Sequence, residues 1–344
     1  MKLAFLFLFI TFSSISFAQN LKLTVKNQKE TTVHLIKYFG SKKFYADTGE
    51  LKNGVVVFDG SKQANGILGL LMPGQKYFEF IYNNEDIEIT TEGPDYLGNI
   101  TIQKSAENTI FIPYIKFIGS QKSKMSKLGQ QRASVEKESA EYKTLTEQIN
   151  AINENVVNYQ DNIILNHSEN LVSRIVKMST EVPIPEAPTD ENGAIIDSNY
   201  RFNYYRKHYW DNVDLNNDAL VNNPIFHNKL ENFFGQNMMI QHWDTVTRYA
   251  FDFCDQLNPK SKMFEYSVGW ITSSFGKSKI MGMDKVYLEM LNRYYCTNNL
   301  DGNSPTDINQ SVFTVNGITI INNGNTVDMS DAIKVRRGAT ATIT

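Results

Sequence analysis

The chain has 344 residues, of which 41% are hydrophobic and 21% charged, and its formal net charge is -3. This length suffices for two or three packed domains. The slightly acidic balance argues against a nucleic-acid-binding protein, because such proteins need a basic face.

Residues 1–18 have the three-part layout of a secretory signal peptide. Met1 and Lys2 give a positive start, residues 3–12 are almost entirely apolar, and Ser16-Phe17-Ala18 is a small-x-small cleavage pattern. The apolar run is too short to span a bilayer, no cysteine follows the cleavage point for lipid attachment, and no later segment reaches transmembrane length. The sequence therefore predicts an exported protein.

Residues 19–105 are predicted to form an antiparallel β-sandwich. Leu21, Leu23 and Val25 alternate with polar residues, which is the period of a half-buried strand. Six more short apolar segments follow, separated by turn-forming pairs such as Asn53-Gly54 and Pro73-Gly74. These segments are residues 33–38, 55–58, 67–71, 77–82, 87–90 and 100–102.

Residues 106–296 are predicted to form a helical domain. Apolar residues at three- and four-residue steps, from Leu128 to Ile163, indicate one long amphipathic helix between about 107 and 178. Packing of this helix on its own domain is favoured over a coiled-coil dimer seam, since the stripe lasts only a few heptads. The prolines of segment 183–188 end this helix. Five further helices are predicted after it. Asp244 and Asp284 lie near the starts of two of them, where carboxylates are favoured. Their ranges are 199–210, 228–234, 243–257, 261–275 and 281–295.

Residues 297–344 form a compositionally distinct tail. Asn316-Gly317 lies between two β-rich halves of segment 312–321, which predicts a hairpin. The tail is either an authentic short ending or the result of a shifted or truncated reading frame.

The chain contains two cysteines, Cys254 and Cys296. In an oxidising compartment they could form a structural disulfide, although both lie in apolar surroundings that suit buried free thiols equally well. Neither belongs to a Cys-x-x-Cys unit, so redox catalysis by this pair is not expected.

One polar segment stands out as a candidate site. Arg206, His208, Asp211 and Asp214 fall close together in the sequence, and His227 follows after a short interval. These side chains could converge in a polar pocket, and the histidines with a carboxylate have the right chemistry for a metal. Helix capping and mutual hydrogen bonding are the favoured interpretation, because the histidines lack the tight spacing of metal ligands. No metal ligand, cofactor site or catalytic residue is therefore assigned.

Several segments together carry a family resemblance: 204–214, 223–229, Ser278-Lys279-Ile280-Met281-Gly282-Met283-Asp284 and Tyr294-Tyr295. They resemble the helical region found upstream of the thioredoxin-like domain in thiol–disulfide oxidoreductases of the Gram-negative envelope. The sandwich and the helical part each resemble a domain of unknown function that precedes that catalytic domain. The family's Trp-Cys-x-x-Cys motif is absent here, so no catalytic position can be transferred.

The resemblance implies localisation to the periplasm or outer cell envelope. It also implies a non-catalytic interaction module that docks a partner, a substrate protein or a second copy of itself. The alternative is a glycan- or peptide-binding protein that uses the aromatic and carboxylate cluster of residues 204–214. A hydrolase with Asp211 or Asp214 and Glu231 as its acid and base is the least favoured hypothesis, because nothing in the spacing requires it.

Overall fold

The computed structural model of the protein describes residues 19–236 and 238–295, together with the backbone of residues 312–315 and 318–321. The predicted signal peptide, Cys296 and most of the tail lie outside these described residues. The internal contacts divide the chain into two units. The first unit consists of the chain up to Lys37 and of Phe44–Ile152. The second unit consists of Tyr38–Lys43 and of the chain from Asn153 onward. The domain boundary expected near residue 105 stays a prediction.

Eight strands build the N-terminal region: β1 (Asn20–Lys26), β2 (Thr31–Phe39), β3 (Lys42–Leu51), β4 (Val55–Asp59), β5 (Gly66–Met72), β6 (Lys76–Tyr82), β7 (Ile87–Glu92) and β8 (Thr101–Lys104). They form two four-stranded sheets with the orders β4-β1-β7-β8 and β3-β2-β5-β6. Leu21, Leu23 and Val25 are fully buried, so the two-residue period of β1 is confirmed. The predicted sandwich-like fold is thus present.

Two details of the sandwich differ from the prediction. β1 pairs with β7 in parallel, with Leu21 opposite Ile87 and Lys26 opposite Glu92, so the expectation of a wholly antiparallel sandwich is wrong at this pair. The chain visits the second sheet between these strands, and no tight turn fixes their relative direction. The prediction also missed β3, because most of its residues are exposed or half-exposed and show no alternation.

The single long helix predicted between residues 107 and 178 is wrong, because three helices occupy this stretch. They are α1 (Ala106–Ala133), α2 (Ala140–Asn166) and α3 (Leu171–Ser179). Between α1 and α2, Ser134 Oγ donates to the Gln131 carbonyl and Ser139 Oγ accepts from the Tyr142 amide. Serine side chains compete in this way with helical hydrogen bonds, and they end one helix and begin the next.

The second helical set is confirmed, with bounds α4 (Tyr200–His208), α5 (Pro224–Phe234), α6 (Trp243–Cys254), α7 (Lys262–Gly276) and α8 (Asp284–Tyr294). Asn223 and Ser261 cap α5 and α7 by accepting from backbone amides, and Asp244 and Asp284 lie in the first turns of α6 and α8, as predicted. The predicted hairpin is also confirmed, since β9 (Val312–Val315) and β10 (Ile318–Ile321) pair antiparallel. Across the described ranges, no helix has both the length and the apolar character needed to cross a membrane.

Candidate functional site

The polar segment predicted as a site begins on α4. His208 Nδ1 lies 2.7 Å from Asp211 Oδ2, so these two side chains are brought together. Arg206 is directed elsewhere, with its guanidinium carbon 5.2 Å from the Phe202 ring centre and 5.1 Å from that of Tyr249. A cation over aromatic faces is stabilised by the ring quadrupoles. Arg206 therefore packs against the helices rather than beside His208.

The two remaining members of the predicted pocket bind other partners. Arg174 Nη1 donates to Asp214 Oδ2 at 2.7 Å, which ties the segment to α3. His227 Nδ1 lies 2.8 Å from the Tyr266 hydroxyl on α7. Among residues 19–236 and 238–295, no three His, Cys, Asp or Glu side chains are grouped as a metal site. These contacts join helices to one another, and a shared ligand pocket stays a prediction.

Two aromatic rings of the same segment, Tyr209 and Trp210, pack against other rings of the helical unit. Trp210 stacks on Phe253 with 4.3 Å between ring centres and also contacts Phe226 and Phe233. Tyr209 is buried against Phe233. The packed faces of Tyr209 and Trp210 are not free for a sugar or peptide, whereas Tyr204 and Tyr205 are half-buried. The glycan-binding alternative at residues 204–214 stays a prediction.

Sequence reasoning missed a second polar cluster, formed by Glu181, Tyr205, Tyr209 and Lys229. The Tyr205 hydroxyl donates to Glu181 Oε2, and the Lys229 ammonium lies 4.3 Å from the Tyr209 ring centre. Burial raises the pKa of Tyr209 to about 12 and lowers the pKa of Lys229. The residues come from distant parts of the sequence, and no spacing rule could have joined them. The Lys229 ammonium on the face of Tyr209 is a cation–π packing contact.

The surroundings of Cys254 decide what its thiol can do. Cys254 is fully buried at the end of α6, and burial raises the pKa of its thiol. Next to it, Arg293 Nη2 and the Tyr294 hydroxyl donate to Asp255 at 2.5 and 2.8 Å. A redox thiol needs access and a lowered pKa, and Cys254 has neither. Cys296 lies outside the described residues, so the Cys254–Cys296 disulfide stays a prediction.

A different candidate surface is the free edge of the second sheet. β3 is the terminal strand of that sheet, with ten residues, and Phe44 and Tyr45 on it are 44% and 70% exposed. Their side chains point to opposite faces, because successive residues alternate along a strand. The opposite edge, β6, is covered, since the Asn108 side chain takes both backbone groups of Ile81. Among the strands that the structure describes, none other than β2 pairs with β3, which is therefore a long edge left open by the described part of the chain.

The first unit also contains a polar cleft of about 320 Å³ where β1 and β7 end. Lys26, Glu92 and three threonines line it, together with residues 98–100. The neighbouring loop is held in place, because Asn99 Nδ2 donates to the Glu92 carbonyl at 2.9 Å and Lys116 Nζ to that of Gly98 at 2.9 Å. Such a lining can form hydrogen bonds with a small polar molecule.

Comparison with known proteins places the chain in a family. A model of a domain of unknown function, DUF5106, matches residues 124–315, which is more than half of the 344 residues. The chain belongs to the DUF5106 family. A second model, also of a domain of unknown function, DUF4369, matches residues 20–111. No curated protein and no solved structure matches this chain.

The two matches correspond to different parts of the fold. The DUF5106 match includes α2 to α8 and the strand β9, and hence the segment from Arg206 to His227. The DUF4369 match includes both sheets and the beginning of α1, and hence the β3 edge and the polar cleft. The expectation of two consecutive domains of unknown function is thus confirmed for this DUF5106 chain.

Proposed function

We propose that this chain is an exported, non-catalytic interaction module of the Gram-negative envelope that docks a partner protein within a thioredoxin-like oxidoreductase system. The observation that carries the proposal is the open β3 edge. An edge strand with unpaired backbone groups accepts an extended segment of another chain, and side chains on both faces add specificity. Phe44 and Tyr45 supply those side chains.

The contrast between the two edges of this sheet strengthens the argument. At β6, the Asn108 amide donates to the Ile81 carbonyl at 2.7 Å and accepts from its amide at 2.8 Å. A side chain thus takes the place of a neighbouring strand and prevents pairing there. Natural proteins usually blunt exposed edges in some such way. An open, aromatic β3 edge suits a strand that receives a partner.

The proposed role assigns no redox chemistry to Cys254. Its thiol is buried and has a raised pKa, so it is poorly suited to attack a disulfide. In the proposal, disulfide chemistry belongs to a partner or to a thioredoxin-like domain, and this chain supplies the docking surface. The signal-peptide pattern of residues 1–18 supports export to the same compartment.

Site-specific photo-crosslinking tests the docking role. Tyr45→p-benzoylphenylalanine is expressed in the native host and irradiated, with Ile196→p-benzoylphenylalanine as the control, because Ile196 is 68% exposed outside the sandwich. We expect one discrete cross-linked protein at residue 45 that is absent for residue 196. A thioredoxin-like oxidoreductase or one of its substrates as the captured protein would support the proposed system.

Two results would contradict the proposal. One is a cross-linking pattern at residue 45 no different from that at residue 196. The other is reduction of insulin by the purified chain at thioredoxin-like rates. N-terminal sequencing of the protein from the envelope fraction tests export separately, with Gln19 as the expected first residue.

The polar cleft favours a second candidate function, binding of a small polar ligand such as a saccharide. Its lysine, glutamate and threonines provide donors and acceptors on preformed strand ends. A thermal-shift screen with envelope saccharides tests this function, and Thr101→Val is the matched variant. Stabilisation that is lost in Thr101→Val would favour it, and an unchanged melting temperature with every saccharide would exclude it for the set tested.

A further inference from the structure

The turn between α7 and α8 holds a methionine out in the solvent. Ser278 Oγ accepts from the Ile280 amide at 3.2 Å, and the Met283 amide donates to the Ile280 carbonyl at 3.2 Å. Gly282 adopts φ +83°, a conformation that favours glycine. As a result Met283 is buried while Met281 is 98% exposed. Met281 thus projects from a turn with defined hydrogen bonds.

A second exposed apolar residue lies at the same end of the helical unit. Ile240 is 74% exposed and precedes α6 by three residues. Lys285 in the first turn of α8 lies over the ring of Trp243, the first residue of α6, with 4.8 Å between Nζ and the ring centre. This contact joins the N-terminal ends of the two helices. Along the chain, Ile240 lies three residues before Trp243, and Met281 lies four residues before Lys285.

The charge around these residues is mainly positive. Lys277, Lys279 and Lys285 are exposed on the turn and at the start of α8. The neighbouring carboxylates are Asp244 and Asp284, each in the first turn of a helix. Backbone N–H groups at a helix N-terminus partly compensate such carboxylates. Lys277 is the C-cap of α7, where backbone carbonyls favour a cation in the same way, whereas Lys279 and Lys285 do not lie at a helix C-terminus.

We propose that this apolar tip, defined as Ile240, Ile280 and Met281 with Lys277, Lys279 and Lys285, rests on an anionic lipid surface. Exposed apolar side chains with exposed lysines close to them in the sequence match the boundary between acyl chains and headgroups. Each lysine near an anionic surface contributes roughly 1 kcal/mol, which is about a fivefold change in affinity and is screened by salt. The inference goes beyond the docking role of β3 and uses none of its residues.

Sedimentation with lipid vesicles tests the inference. The purified full chain is mixed with vesicles of phosphatidylcholine alone and with vesicles containing phosphatidylglycerol. We expect binding only to the anionic vesicles, with a marked loss in 0.5 M salt. Met281→Asp and the double variant Lys277→Glu/Lys279→Glu should each weaken binding by tenfold or more.

Two matched variants control for exposure and charge. Leu165→Asp changes a side chain that is 78% exposed on α2, and Lys260→Glu changes an exposed lysine away from the tip. Both should bind as the wild type does. Failure to bind anionic vesicles, or binding that Met281→Asp leaves intact, would overturn the inference. The inference would also be overturned if Met281→Asp left vesicle binding unchanged but abolished a cross-link to a protein, because the tip would then contact a protein. Circular dichroism confirms that each variant is folded.

Discussion

The side-chain amide of Asn108 holds both backbone groups of Ile81. It accepts from the Ile81 amide at 2.8 Å and donates to the Ile81 carbonyl at 2.7 Å, and it is fully buried. Ser105 Oγ accepts from the same side chain at 2.8 Å and also caps α1. One residue thus closes the β6 edge and fixes the start of α1 against it.

Asn108→Ala should destabilise the protein by about 2–4 kcal/mol, because each buried backbone group without a partner costs roughly 1–3 kcal/mol. Urea unfolding measures the change. Asn150→Ala, at an exposed position of α2, is the control and should stay close to the wild type. A loss below 1 kcal/mol in Asn108→Ala would mean that water or a strand movement satisfies Ile81 in its place.

Gly40 and Gly74 offer a matched pair. Both have positive φ, +58° and +77°. A Cβ atom at Gly40 would lie 1.8 Å from the Tyr266 hydroxyl oxygen, whereas one at Gly74 would meet no atom within 4 Å. Gly74→Ala should cost about 1 kcal/mol from the left-handed backbone alone. Gly40→Ala should cost roughly 1–3 kcal/mol more, because Tyr266 must move. Equal losses in thermal unfolding would show that the Tyr266 contact is unimportant.

We expect the contribution of Asp86 to the free energy of unfolding to depend on pH. The Lys104 ammonium at 2.7 Å and the Asn20 amide at 2.9 Å hold the pKa of this carboxyl below its usual value. The ionised Asp86 carboxyl therefore contributes its full stabilisation at a pH above its pKa in the unfolded state. This stabilisation is lost as the pH falls through its lower pKa in the folded state. Asp86→Asn should cost only a few tenths of a kcal/mol at pH 7, because the pair is exposed and screened.

The difference between wild type and Asp86→Asn should shrink below about pH 4, since the carboxyl becomes protonated in both folded and unfolded states. Urea unfolding at pH 3, 5 and 7 measures this trend. Asp161→Asn, at an exposed position of α2, shows the effect of removing a charge without these partners. A constant difference from pH 7 to pH 3 would contradict the assignment to Asp86.

Cys254 should be inert in the folded protein. In a Cys296→Ser variant it is the single thiol, and burial both blocks reagents and raises its pKa. We expect no reaction with iodoacetamide at pH 8 over hours, and complete reaction in 8 M urea. Stoichiometric labelling of the native variant within minutes would contradict the buried position. Mass measurement of the wild type with and without reductant shows separately whether the two cysteines are bridged.

The periodic parts of the fold could be predicted from local residue patterns. The alternation of Leu21, Leu23 and Val25 predicted a half-buried strand, and the helical set after residue 199 was predicted to within a few residues, since caps and apolar spacing are local signals. The same local rules failed at Ser134–Ser139, where serine side chains interrupt an apolar stripe that continues on both sides. β3 was missed because an exposed edge strand has no buried face to give alternation.

The candidate site depended more strongly on long-range contacts. The sequence placed Arg206, His208, Asp211, Asp214 and His227 near one another along the chain, but helix packing paired Asp214 with Arg174 and His227 with Tyr266. Hydrogen bonding acts through space, and sequence distance does not determine which partners meet. The same reason explains why the Glu181–Tyr205–Tyr209–Lys229 cluster has no motif.

By itself, the sequence determined that a β-sheet part precedes a helical part and that β1 buries every second residue, because both depend on residues a few positions apart. Tertiary structure alone decided the parallel pairing of β1 with β7, the closure of β6 by Asn108, the open β3 edge and the exposed position of Met281. Those features depend on which distant segments pack together, and packing is settled by the burial and hydrogen bonding of the whole chain.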